Sequence, residues 1–438
     1  MKITFLGATE EVTGSMNLIE EKDTKILVDC GLFQDDKLSK RNWHRLSRDP
    51  SNIDAIVLTH AHIDHTGYIP LLIKNGFRGA IYCSKATYKL SSVMLLDSGR
   101  LQEKGAVGLP LYTEEDAEKS LRFFKVVDYD VIVSVGVLEV TLIRSGHILG
   151  SAFVIVSNGK QILTFSGDLG RPHQLIMESP PHLEKTDFLV LESTYGDTLH
   201  EQGDPIEELG SIVNETVAKG GVLIIPAFSV ARTQAVLYCL YKLKEKNAIP
   251  KVPIFLDSPM AIRVTDLFCD FKQELSLPQD LCDDIFDIAT NTPTVEESKM
   301  LDTLQHPAII IAGSGMATGG RVLYHMEHYI SDAKNTILFV GFQVEGTEGR
   351  ALVDGAKKIE IHDKQYEVRA NIKIIKTLST HADYNETLEW LSYFKKNPKK
   401  VFITHGEKEA TISLKEKIEE RFGWTVIIPK YLESFDLD

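Results

Sequence analysis

The chain reads as short apolar runs, each delivered into a turn that carries Gly, His or Asp. Ile3 to Leu6, Lys25 to Val28, Ala55 to Thr59 and Ala80 to Cys83 are brief and rich in β-branched residues, which predicts strands. Val137 to Ile143, Phe153 to Ser157, Gln161 to Phe165 and Phe188 to Leu191 repeat that pattern. Between them Ser84 is placed to cap a helix reaching Leu96, and Thr113 with Asp116 makes a capping-box start for Glu114 to Phe124. The middle changes rhythm. Helical Ile206 to Ala218, the run Gly221 to Ile225, helical Thr233 to Lys246 and the run Val252 to Leu256 alternate, and Pro307 to Ala312 and Thr336 to Val340 continue the series. Such alternation predicts a parallel sheet with its own covering helices. After about Ile372 the earlier rhythm returns, with Lys373 to Leu378, Val401 to Thr404 and a helix from Lys408 to Phe422. The expected organisation is α/β: an outer domain made of residues 1–200 and 371–438, interrupted by a domain at 201–370.

Length agrees with this, since 438 residues exceed one ordinary hydrophobic core. No apolar run approaches the ~20 residues of a membrane helix. The first residues are too soon interrupted by polar positions for a secretory signal, so a cytoplasmic protein without a membrane partner is expected. The five cysteines form no C-x-x-C pair, which argues against a disulfide framework and a cysteine zinc ribbon. Any transition metal is therefore left to His, Asp and Glu. A net charge of −14 removes the global basic footprint expected for duplex DNA, while leaving room for a narrow, locally basic channel.

Thr59-His60-Ala61-His62-Ile63-Asp64-His65-Thr66-Gly67 is the strongest chemical signal. Imidazole and carboxylate suit Zn²⁺, and His60, His62, Asp64 and His65 lie close enough together to serve two adjacent metals. Three further residues follow apolar strands: His147 after Leu142-Ile143, Asp168 after Leu163-Thr164-Phe165, and His405 after Val401-Phe402-Ile403-Thr404. Strand ends bring distant residues to one rim of a sheet. Singly, each would be an ordinary turn residue; together they supply missing ligands.

The set His60, His62, Asp64, His65, His147, Asp168 and His405 resembles the metal site of the metallo-β-lactamase superfamily. Glu192-Ser193-Thr194-Tyr195-Gly196, Ser379-Thr380-His381-Ala382-Asp383 and Thr404-His405-Gly406 resemble motifs A, B and C of its β-CASP nucleases. Pro226 to Gln234, Asp257-Ser258-Pro259-Met260 and Gly313 to Arg321 also resemble β-CASP segments, in the family's order and across essentially the whole chain. The resemblance implies an αββα sandwich with an inserted β-CASP domain and two Zn²⁺ per chain. It gives one metal to His60, His62 and His147, the other to Asp64, His65 and His405, and the bridge to Asp168. Asp29 matches the first motif and is expected to orient a ligand histidine. The implied reaction is zinc-dependent hydrolysis of single-stranded RNA by a bridging hydroxide, in RNA processing or decay, leaving 5′-phosphate and 3′-hydroxyl ends. Asp64 serves that chemistry at the metals, and Glu192 with His381 protonates the leaving oxygen.

His405 points to RNA, because DNA-repair members of the family carry an apolar residue there. The site is compatible with both endonuclease and 5′-to-3′ exonuclease action. Hydrolysis of DNA, or of a small ester or thioester, is the alternative, and the large insertion favours a polymer. An inactive scaffold is disfavoured because no ligand is missing, and a flavodiiron-like site because His62 stands where such sites carry Glu. A homodimer is expected from the resemblance alone.

The Gly313 to Gly320 segment misses the dinucleotide and P-loop spacings, and a tight turn or an RNA-phosphate contact both fit it. Arg232, Arg321 and Ser379 are candidates for substrate phosphates, each equally suited to an ion pair or a cap. Val236, Leu237, Leu240 and Leu243 form a core stripe, and the lysine pairs flanking Pro398 a solvated loop.

Overall fold

The computed structural model describes residues 1–34, 38–44, 46, 48–105, 109–201, 203–341, 343–344 and 346–438. The chain divides into two compact units, one made of Met1–Gln174, Glu178–Leu199 and His381–Asp438, the other of Leu175–Met177 and His200–Thr380.

The first unit holds two seven-stranded sheets. In the first sheet the order is Ser434–Asp436, Lys2–Phe5, Asn17–Glu21, Thr24–Val28, Ala55–Val57, Ala80–Cys83 and Phe124–Val126. In the second it is Val426–Ile427, Lys400–Thr404, Phe188–Glu192, Ile162–Phe165, Ala152–Ser157, Leu138–Arg144 and Ile132–Val135. Alternation along each strand explains the layering. Ile26 and Val28 point between the sheets with Phe165, Val190 and Phe402, while Leu27 between them packs outward with Ile69, Leu72 and Leu95. On the second sheet Phe188 and Val190 face inward, whereas Leu189, Leu191, Val401 and Ile403 meet Leu388, Leu414 and Ile418 of the covering helices Tyr384–Leu391 and Lys408–Phe422. Both faces of both sheets are thus buried, which makes an αββα sandwich.

The second unit is built on a six-stranded sheet in which every pairing is parallel, in the order Thr290–Asn291, Ile254–Asp257, Ala308–Ala312, Val222–Pro226, Thr336–Phe339, Asn371–Ile374. Its central strands are buried throughout, as two-sided cover requires. Asn371–Ile374 pairs with Thr336–Phe339, so these residues join this sheet, although the sequence pattern assigned them to the returning segment. Helix Lys85–Gly105 runs well past Leu96, and Glu114–Ser120 keeps its capping box but gives way to a 3₁₀ turn, Leu121–Phe123, and a strand, Phe124–Val126. Among the described residues, no helix is long and apolar enough to cross a membrane.

Candidate metal centre

Strand Ala55–Val57 releases the chain at the rim of the first sheet, where His62 precedes a single helical turn, Ile63–Thr66. That turn sits on the loop after Thr24–Val28: Cys30 N donates to His65 O at 2.8 Å and Ser15 N to Asp64 O at 2.8 Å. Gly31 is required here, because a Cβ would lie 1.6 Å from Asp64 O. Gly167 has the same function before Asp168; its φ is +51° and a Cβ would lie 2.6 Å from Thr59 Cβ. Two larger residues at the rim also adopt left-handed backbone, Asp29 at φ 61° and His405 at φ 51°. Such conformations persist where surrounding contacts impose them.

The seven expected side chains meet in two adjoining groups. His60 Nε2 lies 3.0 Å from His62 Nδ1, His147 Nε2 lies 3.4 Å from that same atom, and both Nε2 atoms lie 3.3 Å from Asp168 Oδ2. In the other group His65 Nε2 lies 3.3 Å from His405 Nε2 and 3.3 Å from Asp168 Oδ1, while Asp64 Oδ2 is 3.2 Å from His405 Nε2. Asp168 belongs to both through its two oxygens. Ligands held tetrahedrally at ~2.0–2.1 Å from zinc stand ~3.3–3.4 Å apart, so the donor atoms fit two such ions.

Neighbouring groups set which ring nitrogen carries hydrogen. Thr59 Oγ1 donates to Asp29 Oδ2 at 2.8 Å, so it accepts from His60 Nδ1 at 3.0 Å, leaving the Nε2 lone pair aimed inward. His65 Nδ1 donates to Asp29 Oδ2 at 2.8 Å, which turns its Nε2 inward. Thr194 Oγ1 lies 3.2 Å from His405 Nδ1. The inward ring nitrogens of each group thus crowd against one another and against carboxylate oxygens, and Asp168 Oδ1 is buried without a hydrogen bond among the described residues. Imidazole and carboxylate groups packed this closely suit a cation.

Charge follows burial and neighbours. Burial first, then the positive charge of nearby His65, holds His60 below its ordinary value; burial and His60 push His62 down to about 3. Burial would lower His65 too, but the Asp168, Asp29 and Asp64 carboxylates outweigh it and raise it well above the ordinary value. Asp168 is driven well below the carboxylate range: burial opposes its charge, and His405, His65, His60 and His147 overcome that.

Glu192 and His381 adjoin the first group. His381 Nδ1 lies 3.0 Å from Glu192 Oε1 and 4.0 Å from Asp168 Oδ2, and its ring stands 4.5 Å from that of His147. Glu192 is fixed from below, accepting from Leu169 N at 2.8 Å and Thr194 N at 3.0 Å. Ala382 N donates to Leu169 O at 2.9 Å, and Asp383 caps helix Tyr384–Leu391, which anchors His381 between strand and helix. Its side chain is 18% exposed, whereas that of Glu192 is 4% exposed. The imidazole is the more accessible of the two.

The phosphate candidates lie in the second unit. Arg321 is corrected: Nη1 donates to Asp257 Oδ1 and Thr292 O, both at 2.6 Å, and Nη2 to Pro293 O at 2.8 Å, so its fork is engaged within its own unit. Arg232 and Ser379 are both buried. The Gly313 to Gly320 segment uses its amides internally, Ser314 N to Gly319 O, Ala317 N to Ser314 O and Thr318 N to Ser314 Oγ, which favours the tight turn. Val236, Leu237, Leu240 and Leu243 are core, and Lys395 and Lys396 pair with Glu184 and Asp187. Sequence reasoning missed Thr59, Ser15 and Thr194. Thr59, next to His60 and thirty residues from Asp29, was the one with a signal, because a hydroxyl beside a ligand is a common orienting device.

Comparison with known proteins gives a consistent picture. Residues 10–211 match the metallo-beta-lactamase superfamily, residues 233–352 the Beta-Casp domain, and residues 365–429 the Zn-dependent metallo-hydrolase RNA specificity domain. The chain is 34% identical over 449 residues to ribonuclease TTHA0252 of Thermus thermophilus, covering 99% of each. It is 29% identical to transcription termination factor FttA of Methanocaldococcus jannaschii, covering 99% of this chain and 71% of that protein, and 30% identical to FttA of Thermococcus kodakarensis, covering 100% and 71%. A crystal structure of a protein of unknown function from Enterococcus faecalis shares the fold over 99% of both chains, with TM-score 0.58 at 13% identity. The chain belongs to the β-CASP branch of the metallo-β-lactamase superfamily.

Proposed function

We propose that this protein is a zinc-dependent ribonuclease that hydrolyses single-stranded RNA, leaving a 5′-phosphate and a 3′-hydroxyl, in cytoplasmic RNA processing or decay. The observation that carries the reading is the convergence of seven His and Asp side chains beside a hydrogen-bonded Glu192–His381 pair. His60, His62 and His147 would hold one zinc, Asp64, His65 and His405 the other, with Asp168 shared. When bound, the pair supplies Lewis acidity, neutralising phosphate charge and making water nucleophilic near neutral pH.

The side chains do the rest. Asp29 and Thr59 hold His65 and His60 with Nε2 turned inward. Glu192 binds His381 Nδ1–H, which directs the Nε2 proton of the imidazolium at the leaving 3′-oxygen. After transfer the neutral ring keeps its Nδ1–H on Glu192. Breaking P–O3′ leaves the phosphate on the 5′ side of the downstream fragment and a hydroxyl on the upstream one. Arg232, at the first position of helix Arg232–Glu245, and Ser379, two residues before His381, are the proposed phosphate contacts.

Mapping products of RNA labelled at either end tests the reading. Fragments bearing 5′-phosphate and 3′-hydroxyl, formed only by zinc-loaded protein, are expected. Cyclic phosphate ends, or undiminished cleavage after metal removal, would overturn it.

A further inference from the structure

Strands Lys2–Phe5, Thr24–Val28 and Ala55–Val57 run in one direction and end on the rim that bears Asp29 and His60. Strand Ser434–Asp436 is antiparallel to Lys2–Phe5, so the turn before it lies on the same rim. Leu432 N donates to Phe5 O at 2.8 Å and Phe5 N to Glu433 O at 3.0 Å, which fixes that turn to the sheet. The turn nevertheless holds apolar side chains outward. Tyr431 is 38% and Leu432 47% exposed, and Leu432 sits at φ 65°, a conformation that a branched side chain adopts under constraint.

Arg41 completes the surface. Its Nη1 is held by Glu11 at 2.8 Å, and its guanidinium carbon stands 4.3 Å over the Tyr431 ring and 5.3 Å over Phe33. Trp43, from the same short helix Ser39–Trp43, is 61% exposed, and His44 beside it lines the crevice with Phe33. Gly14 packs against Phe33, where a Cβ would touch the ring at 2.7 Å, and the next residue, Ser15, places Oγ 3.3 Å from His65 Nε2. Strand Ser434–Asp436 lies four places from Ala55–Val57 in the sheet, roughly 19 Å at ~4.8 Å per strand.

We propose that Tyr431, Leu432, Arg41 and Trp43 form a stacking platform for an unpaired base of the RNA, several nucleotides from the bond cleaved. This rests on the RNA-hydrolysis reading above. The surface offers the exposed Tyr431 and Trp43 rings, with Arg41 neutralised by Glu11 and laid over Tyr431 and Phe33, in a chain of net charge −14. That is the chemistry of base stacking, which tolerates any sequence, rather than of backbone neutralisation.

Trp43 makes the test direct, because the other two tryptophans, Trp390 and Trp424, are 4% and 6% exposed. The zinc-loaded full chain is mixed by stopped flow with single-stranded RNA of about 12 nucleotides, and iodide quenching of the exposed emission is followed before turnover. RNA should shield Trp43. Tyr431→Ala should raise KM for that RNA roughly 5- to 100-fold while kcat changes little, and more than it does for a tetranucleotide. Tyr431→Phe should restore it, which separates stacking from misfolding. Undiminished quenching at saturating RNA, together with a wild-type KM in Tyr431→Ala, would overturn the platform. Shielding that grows with protein concentration without RNA would assign the surface to a second copy and overturn it equally. A wild-type chain that cleaves no RNA would sink the ribonuclease reading, while the shielding still decides whether the platform binds a base.

Discussion

Two clusters of histidine and carboxylate are buried at strand ends in this protein, one in each unit, and they differ in where the hydrogens go. In the second unit His325 presents both ring nitrogens to carboxylates, Nδ1 to Asp302 and Nε2 to Asp257, each at 2.7 Å. Asp257 also accepts from Thr292 Oγ1 at 2.8 Å, Ser298 Oγ at 2.6 Å and Arg321 Nη1 at 2.6 Å. Donors meet acceptors throughout, which makes a lock. At the candidate metal centre Asp29 and Thr59 draw the Nδ1 hydrogens of His65 and His60 to the outside, and His60 Nε2 and His147 Nε2 stand 3.0 and 3.4 Å from His62 Nδ1. The same residue types thus build a structural tie when saturated and a cation site when not. Composition alone does not separate the two; the direction of each hydrogen does.

The contrast is broken most severely at Asp168, the residue common to both ligand groups. Asp168→Ala should remove most bound zinc and lower RNA cleavage by on the order of 10³-fold or more, while unfolding of the second unit is unaffected. Zinc content by mass spectrometry beside cleavage rate checks this. His381→Ala should cut kcat by about 10²–10⁴ with zinc retained, since His381 delivers a proton and holds no metal in the proposed scheme. Losing zinc in that variant would remove the distinction between ligand and acid. Asp29→Ala should weaken zinc binding by roughly 10- to 100-fold, read by chelator competition, because His65 and Thr59 lose the group that orients them.

On the saturated side, Asp257→Ala leaves His325 and Arg321 without their shared carboxylate and should destabilise the fold by about 3–5 kcal/mol in urea titration, with zinc content unchanged. The smallest effect is one of pH. Burial would lower His325, but Asp257 and Asp302 overcome it and raise it above the ordinary value, so its stabilisation is full below about pH 6.5 and fades as pH rises through the raised value. Asp257 moves the other way. Burial opposes its charge, yet His325, Ser298, Thr292 and Arg321 hold it below the carboxylate range, so its contribution is present above about pH 4 and is lost on acidification. Stability should therefore decline above neutrality, and His325→Gln should flatten that decline.

The convergence at the candidate metal centre was legible because its residues carry their own punctuation. His60 to His65 are dense enough to be noticed alone, and His147, Asp168 and His405 each follow an apolar strand. The sandwich was legible for the same reason, since alternation such as Ile26, Leu27, Val28 leaves both faces apolar. What stayed hidden depended on pairing. Asn17–Glu21 carries three polar residues among five and shows as a strand only beside Lys2–Phe5 and Thr24–Val28. Asn371–Ile374 alternates Asn-Ile-Lys-Ile but is half-buried throughout, so its sheet is decided by pairing with Thr336–Phe339. Arg321 looked like a phosphate ligand beside a glycine-rich turn, and only Asp257, from a strand 64 residues earlier, shows it to be part of the lock.

In the proposed scheme His60, His62, Asp64, His65, His147, Asp168 and His405 hold two metal ions that cleavage requires. Counting zinc in the purified full chain by native mass spectrometry, and following RNA cleavage as metal is withdrawn and restored, tests it most directly. Two zinc ions per chain, with activity lost and regained in step, is the predicted result. A chain that binds none and still cleaves RNA at the same rate would contradict it.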